Sequence, residues 1–175
     1  KFKAKSEQGL YGDVIMEIDW SVGEIIKKLK EHKIYDNTLF IFTSDNGPWL
    51  NFGNHAGSAL PLREGKGTAW EGGQREPTVV SFPNLIKGEQ TIETPMMAID
   101  ILPTIAEITG AELPKNTIDG KSILKILTGE DKQSPQEAYF FYYKSNELHG
   151  VRYKDWKLYF PHSYRTLNGR EGGKD

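Results

Sequence analysis

One stretch limits the fold more than any other. Thr38-Leu-Phe-Ile-Phe-Thr43 runs directly into Ser44-Asp45-Asn46-Gly47-Pro48. The first six residues, mostly β-branched or aromatic, have the profile of a buried strand. The pentapeptide after them is a turn cluster that ends it. Ahead of the strand, Leu10, Val14, Ile18, Val22, Ile25 and Leu29 recur at intervals of three and four. That spacing predicts a long amphipathic helix over residues 6–32. A helix feeding a buried strand is one α/β step, the helix covering a face of the sheet. Lys27, Lys28 and Lys30 suit the negative end of that helix. Gly23 inside it costs about 1 kcal/mol relative to Ala, which predicts close packing at that point. Asp13, Glu17 and Asp19 read as solvated or capping carboxylates.

Downstream, Glu76–Phe82 reads as a second strand, stopped by Pro83-Asn84. Asp100 stands as N-cap of a helix over Ile101–Ile108, with an early proline and Gly110 at its end. A short helix over Ser122–Leu127 ends at Gly129. From Ala138 the texture changes. Ala138–Tyr143, Leu148–Tyr153 and Trp156–Phe160 are β-prone, and Lys154-Asp155 marks a hairpin turn. The expected fold class is α/β: the back part of a layered sheet domain over residues 1–135, then a small antiparallel β subdomain over 136–175. Residues 168–175 are polar and Gly-rich and are expected to be mobile.

The chain has 175 residues, with 22 Lys+Arg against 24 Asp+Glu and a formal net charge of -2. That balance gives no electrostatic basis for nucleic-acid binding. No apolar run reaches the ~20 residues a membrane-spanning helix needs. The absence of cysteine removes disulfides, thiolate metal sites and a cysteine nucleophile from these residues.

The chemistry concentrates after the first strand. Asp45 and Asn46 sit at its carboxyl end, the edge where open α/β sheets bind ligands. Taken alone, Asp-Asn-Gly is a turn. A carboxylate beside a carboxamide also supplies hard oxygen donors of the kind Ca²⁺ or Mg²⁺ takes. The segment from Pro48 to Gly73 is long for a loop in a compact domain and has no steady hydrophobic period, a feature of functional loops. It carries His55, Lys66 and the aromatics Trp49 and Trp70. Lys66 lies between Gly65 and Gly67, which let backbone approach a ligand closely. A lysine held there can meet the oxygens of a sulfate or phosphate ester beside a divalent metal. His55 can contact substrate or protonate a leaving group; a lone loop histidine is more often an incidental residue. Arg75 is expected to tie loop carbonyls or a carboxylate. The two tryptophans line a sugar or aryl pocket or cover the loop's own core. His149, Arg152 and His162 either shape substrate choice or are ordinary subdomain surface.

Thr43-Ser-Asp-Asn-Gly47 followed by Gly65-Lys-Gly-Thr-Ala-Trp-Glu-Gly-Gly-Gln-Arg-Glu-Pro77 resembles the type I sulfatases of the alkaline phosphatase superfamily. The arylsulfatase A and N-acetylgalactosamine-6-sulfatase group is the most similar. The likeness continues through Asp100-Ile-Leu-Pro-Thr104 and Ile118-Asp-Gly120, and covers nearly the whole chain. It implies that Asp45 and Asn46 ligate Ca²⁺, with Mg²⁺ the other possible ion. It also implies that Lys66 binds the sulfate ester of a sulfated sugar or aryl sulfate. His55 matches no residue general to the family and stands as a candidate substrate contact. Such enzymes use a formylglycine made from Cys or Ser in a C/S-x-P-x-R motif. This chain has neither cysteine nor Ser-x-Pro-x-Arg; in Ser58-Ala-Leu-Pro-Leu-Arg63 the proline falls one place late. The resemblance therefore implies a C-terminal portion, inactive alone, that needs the N-terminal half of the same enzyme to complete the site. It further implies a secreted, periplasmic or lysosomal setting. Two other readings stand beside it: a phosphodiesterase or phosphonate monoester hydrolase of the same superfamily, and a non-catalytic relative that binds sulfated glycans.

Overall fold

A computed structural model describes residues 1–163; the expectation of mobility at 168–175 lies outside the described residues. Helix α1 spans Gly9–Glu31, close to the span its apolar spacing predicts. Its last turn carries Lys28 and Lys30, and the helix closes with the His32 N–H on the Lys28 carbonyl and the Lys33 N–H on the Lys30 carbonyl. Most of the predicted stripe, however, is exposed, with only Val22 and Leu29 half-buried. Leu10 is 63% and Ile25 52% accessible, because nothing among the described residues covers that face. The same openness overturns the expected close packing at Gly23, where a Cβ would meet nothing within 4 Å.

Strand β1 (Phe40–Thr43) pairs antiparallel with β2 (Thr78–Ser81), Phe40 opposite Ser81 and Thr43 opposite Thr78. The two form a sheet of their own. The strand that the apolar run places inside a sheet thus has one described neighbour, and Phe42 and Thr43 are exposed. The main core lies at the other end of this pair. Phe82, Ile86, Ile123, Ile126 and Leu127 are buried together, with Leu39, Val80, Met96 and Ile108 packed against them. Helices α3 (Ile101–Thr109) and α4 (Leu124–Thr128) both stop at left-handed glycines, Gly110 and Gly129, as read from the sequence.

Asp100 stands at the N-cap of α3 as expected, but its side chain makes no hydrogen bond to that helix. It lies in the 3-10 turn before that helix, fully buried. Its carboxylate accepts the Met97 N–H, the Lys121 N–H and Gln136 Nε2, all at 2.8–2.9 Å. One side chain thereby joins α3, the turn after Ile118-Asp-Gly120 and the approach to the last sheet. A buried carboxylate is tolerable when several donors share its charge in this way.

The C-terminal region forms a three-stranded antiparallel meander: β3 (Tyr139–Tyr143), β4 (Glu147–Tyr153) and β5 (Trp156–Tyr159). Here the predicted hairpin is found, with Tyr153 opposite Trp156 across the Lys154-Asp155 turn. This sheet does not stand apart. Tyr139 is buried and its hydroxyl donates to the Pro95 carbonyl at 2.7 Å.

Candidate functional site

Where β1 ends, Thr43 Oγ1 hydrogen-bonds Thr78 Oγ1 at 2.8 Å across the strand pair. The chain then turns. Ser44 Oγ donates to the Asn46 carbonyl at 3.0 Å, and Asn46 Nδ2 donates to the Gly47 carbonyl at 3.1 Å. That bond uses the amide nitrogen of Asn46, and its side-chain oxygen is an acceptor by type. Asp45 is exposed and Asn46 half-buried.

The next two residues join this turn to the loop that carries Lys66. The Gly47 N–H donates to the Gly73 carbonyl at 3.2 Å, and the Lys66 N–H donates to the Pro48 carbonyl at 2.9 Å. Such an approach requires glycine. A Cβ at Gly47 would stand 1.8 Å from the Gly72 oxygen, and one at Gly72 would stand 2.0 Å from the Glu64 oxygen. Both are backbone atoms that cannot swing aside. Thr68, buried, donates its hydroxyl to the Gly65 carbonyl at 2.9 Å and fixes the loop from within. Gln74 of helix α2 (Glu71–Gln74) reaches back to the Thr68 carbonyl at 3.0 Å. Lys66 itself stays exposed, its Nζ 5.8 Å from the centre of the Trp49 ring.

Glu76 completes the neighbourhood. Its Oε1 is buried without a hydrogen-bond partner. Burial first, and the nearby Asp45 charge second, push its carboxyl above the usual 4.5. Among the described residues no cation forms an ion pair with Asp45 or Glu76. Two carboxylates near enough to repel, one with an orphaned oxygen, and a carboxamide next in sequence are donor types that a hard divalent cation takes. The set fits only part of such a shell: no three acidic, histidine or cysteine side chains gather among the described residues, and Ca²⁺ takes about 6–8 oxygens.

The backbone thus brings the Asp45-Asn46 turn and Lys66 together. In sequence His55 lies between the two. That residue ends a 3-10 segment over Leu50–His55 and is exposed. Arg75 does lie toward a carboxylate, its Nε 3.8 Å from Glu71 Oε2. Trp70 packs beneath Arg63, 3.4 Å from the ring centre, and against Tyr159, with ring centres 3.9 Å apart; it covers the loop's own core. Trp49 is more open, edge-on to Phe52 at 4.7 Å.

Sequence reasoning missed the ionic group around Glu71. Arg152 Nη1 lies 2.9 Å from Glu71 Oε2, and Lys157 Nζ lies 2.7 Å from Glu71 Oε1. A signal was available. The hairpin register sets Arg152 directly opposite Lys157, and like charges facing across strands are unfavourable unless an anion sits between them. His149, read as possible surface, is buried, stacked on His162 with ring centres 3.9 Å apart.

A profile of the sulfatase family matches residues 2–111. The chain belongs to the sulfatase family. A second profile, of the N-sulphoglucosamine sulphohydrolase C-terminal region, matches residues 65–167. Human steryl-sulfatase is 37% identical over 171 residues, covering 91% of this chain and 29% of that enzyme. Human arylsulfatase A is 39% identical over 151 residues, covering 86% of this chain and 29% of that enzyme. In three dimensions the crystal structure of PsFucS1 sulfatase from Pseudoalteromonas sp. superposes with a TM-score of 0.86 at 30% identity. That match covers 99% of this chain and 36% of the other. The chain therefore spans less than a third of the curated relatives it matches. The α/β fold class and the type I sulfatase resemblance hold. The similarity is to a C-terminal portion of such an enzyme, with the small antiparallel sheet in place.

Proposed function

We propose that this chain supplies part of the Ca²⁺- and sulfate-binding site of a sulfuric ester hydrolase. The observation that carries this reading is the joining of two loops. The turn bearing Asp45 and Asn46 is hydrogen-bonded, through Pro48, to the backbone N–H of Lys66 itself. Asp45 and Asn46 present oxygens to a divalent cation, and Lys66 presents an ammonium to the oxygens of a sulfate ester. In the reaction an oxygen nucleophile bonds to sulfur as the ester's S–O bond breaks, and the leaving oxygen takes up a proton and departs as the alcohol. A fixed positive charge favours the negative charge that grows on those oxygens. The metal would polarise a sulfate oxygen as a Lewis acid. The nucleophile and the remaining metal and sulfate ligands come from polypeptide outside these residues. The exposed apolar stripe of α1 supports that partner, because contiguous apolar surface of this kind marks an interaction face. His55, exposed on the same loop, remains a candidate substrate contact, and residues 136–175 a candidate subdomain. The substrate class is a sulfated sugar or an aryl sulfate.

The test uses the full-length gene product with 4-nitrophenyl sulfate and 4-nitrophenyl phosphate. Lys66→Ala should lower kcat/KM for the sulfate well over tenfold while leaving the melting curve in place. Unchanged kinetics would remove Lys66 from the site. Asp45→Ala should lower bound calcium measured by atomic emission, and full occupancy in that variant would remove the ligand assignment. A preference for the phosphate ester would move the reading to another hydrolase of the superfamily.

A further inference from the structure

The loop that holds Lys66 is gripped from two sides. On one side, Pro48 accepts its backbone N–H at 2.9 Å. On the other stands the C-terminal sheet. Lys157 of β5 donates through Nζ to the Ala69 carbonyl at 2.8 Å and to Glu71 Oε1 at 2.7 Å. Arg152 of β4 takes the other oxygen of Glu71 at 2.9 Å. The ammonium of Lys157 also sits 3.3 Å from the centre of the Phe141 ring on β3. Strands β4 and β5 therefore bond the segment from Ala69 to Glu71, a few residues past Lys66, while β3 backs the Lys157 ammonium. Tyr143 approaches closer still, its hydroxyl 3.3 Å from where a Cβ of Gly67 would stand.

This contact is desolvated. The side chains of Lys157, Glu71 and Arg152 are 11%, 21% and 25% accessible. Burial holds the Lys157 amine below its usual 10.5, against the pull of Glu71. The Tyr159 hydroxyl beside it is pushed well above its usual 10.0 by burial first and by Glu71 second. Charges with so little water around them are strongly coupled to their partner's position. An exposed surface pair would not be.

We propose that Glu71, clamped by Arg152 and Lys157, is a positioning residue for Lys66, so that the C-terminal sheet sets where the sulfate-binding ammonium stands. The inference rests on the sulfatase reading given above. It assigns no chemical step to Glu71. The carboxylate acts by fixing the loop between two anchors, so that Lys66 meets the ester in one geometry. A misplacement of about 1 Å is enough to cost a rate factor near a hundred.

A double-mutant cycle in the full-length gene product tests it, with 4-nitrophenyl sulfate as the probe. Glu71→Gln should lower kcat/KM at least tenfold when Lys66 is present. In the Lys66→Ala background the same change should lower it less than twofold, because the group being positioned is gone. Lys157→Met keeps the apolar stem over Phe141 and removes the charge; it should repeat the pattern and carries the test if Glu71→Gln does not fold. Lys157→Arg, which keeps a cation, should recover part of the activity. Equal losses in both backgrounds would mean a purely structural tie and overturn the proposal, as would no loss in either. Full activity in Lys66→Ala alone would instead overturn the site reading beneath it.

Discussion

At the scale of single residues, two glycines with the same composition signal have opposite consequences. Gly23 lies in the interior of α1 with open space where a Cβ would go. Gly23→Ala should stabilise the chain by up to about 1 kcal/mol through helix propensity. Gly47 faces the Gly72 oxygen at 1.8 Å from its would-be Cβ. Gly47→Ala must push apart two backbones that carry Asp45 and Lys66, and should cost at least about 1–3 kcal/mol. Urea denaturation of both variants checks the pair. A Gly47→Ala protein as stable as the parent would mean that the two loops are not locked together. From sequence alone Asp45, Asn46 and Lys66 could be singled out by residue type and flanking glycines. Glu76 could not, because its role depends on lying against Asp45 with an oxygen left unpaired. His55 had the right chemistry for a site, but local pattern carries no information on whether a loop side chain faces it.

Between residue and molecule lie the elements, and here periodicity was a good guide to existence and a poor one to environment. Helices α1 and α3 and the β3–β5 meander follow from spacing, glycine stops and a hairpin turn. What holds them is less legible, since capping carboxylates often serve a segment other than their own. Asp100, at the N-cap of α3, turns its carboxylate to Met97, Lys121 and Gln136 rather than to that helix. Asp13 behaves alike: seated on α1, it accepts the N–H groups of Ala4, Lys5 and Ser6 at 2.6, 2.9 and 2.8 Å. These bonds, that from Ser6 foremost, hold its carboxyl below the usual 3.8. The folded value is depressed, so the contribution is present above 3.8 and fades as pH falls through the folded value. Asp13→Asn should be less stable than the parent near neutrality. Its urea midpoint should also fall less steeply toward acid, the two curves converging once pH has dropped below the folded value. Parallel curves would show that the N-terminal turn does not depend on the charge.

For the whole molecule the decisive feature is surface that folding among the described residues leaves uncovered. Leu10, Val14, Ile18 and Ile25 form one stripe on α1 and are all more than two-fifths accessible. Local helix propensity does not require an apolar stripe; only a partner surface does. The proposed partner is the remainder of the sulfatase polypeptide, whose relatives extend well beyond the matched span. Substitution separates this from an idle apolar face. In the isolated 175-residue chain, Leu10→Ala and Ile25→Ala should change stability by no more than about 0.5 kcal/mol, as surface changes do. If the stripe is covered in the full-length gene product, each should there cost about 2–5 kcal/mol, the sum of lost burial and the cavity left behind. Binding of an apolar dye should follow the same logic, strong in the isolated chain and weak in the longer one. Equal, small effects in both proteins would mean that α1 stays bare and that the Asp45, Asn46 and Lys66 loops are completed from another direction.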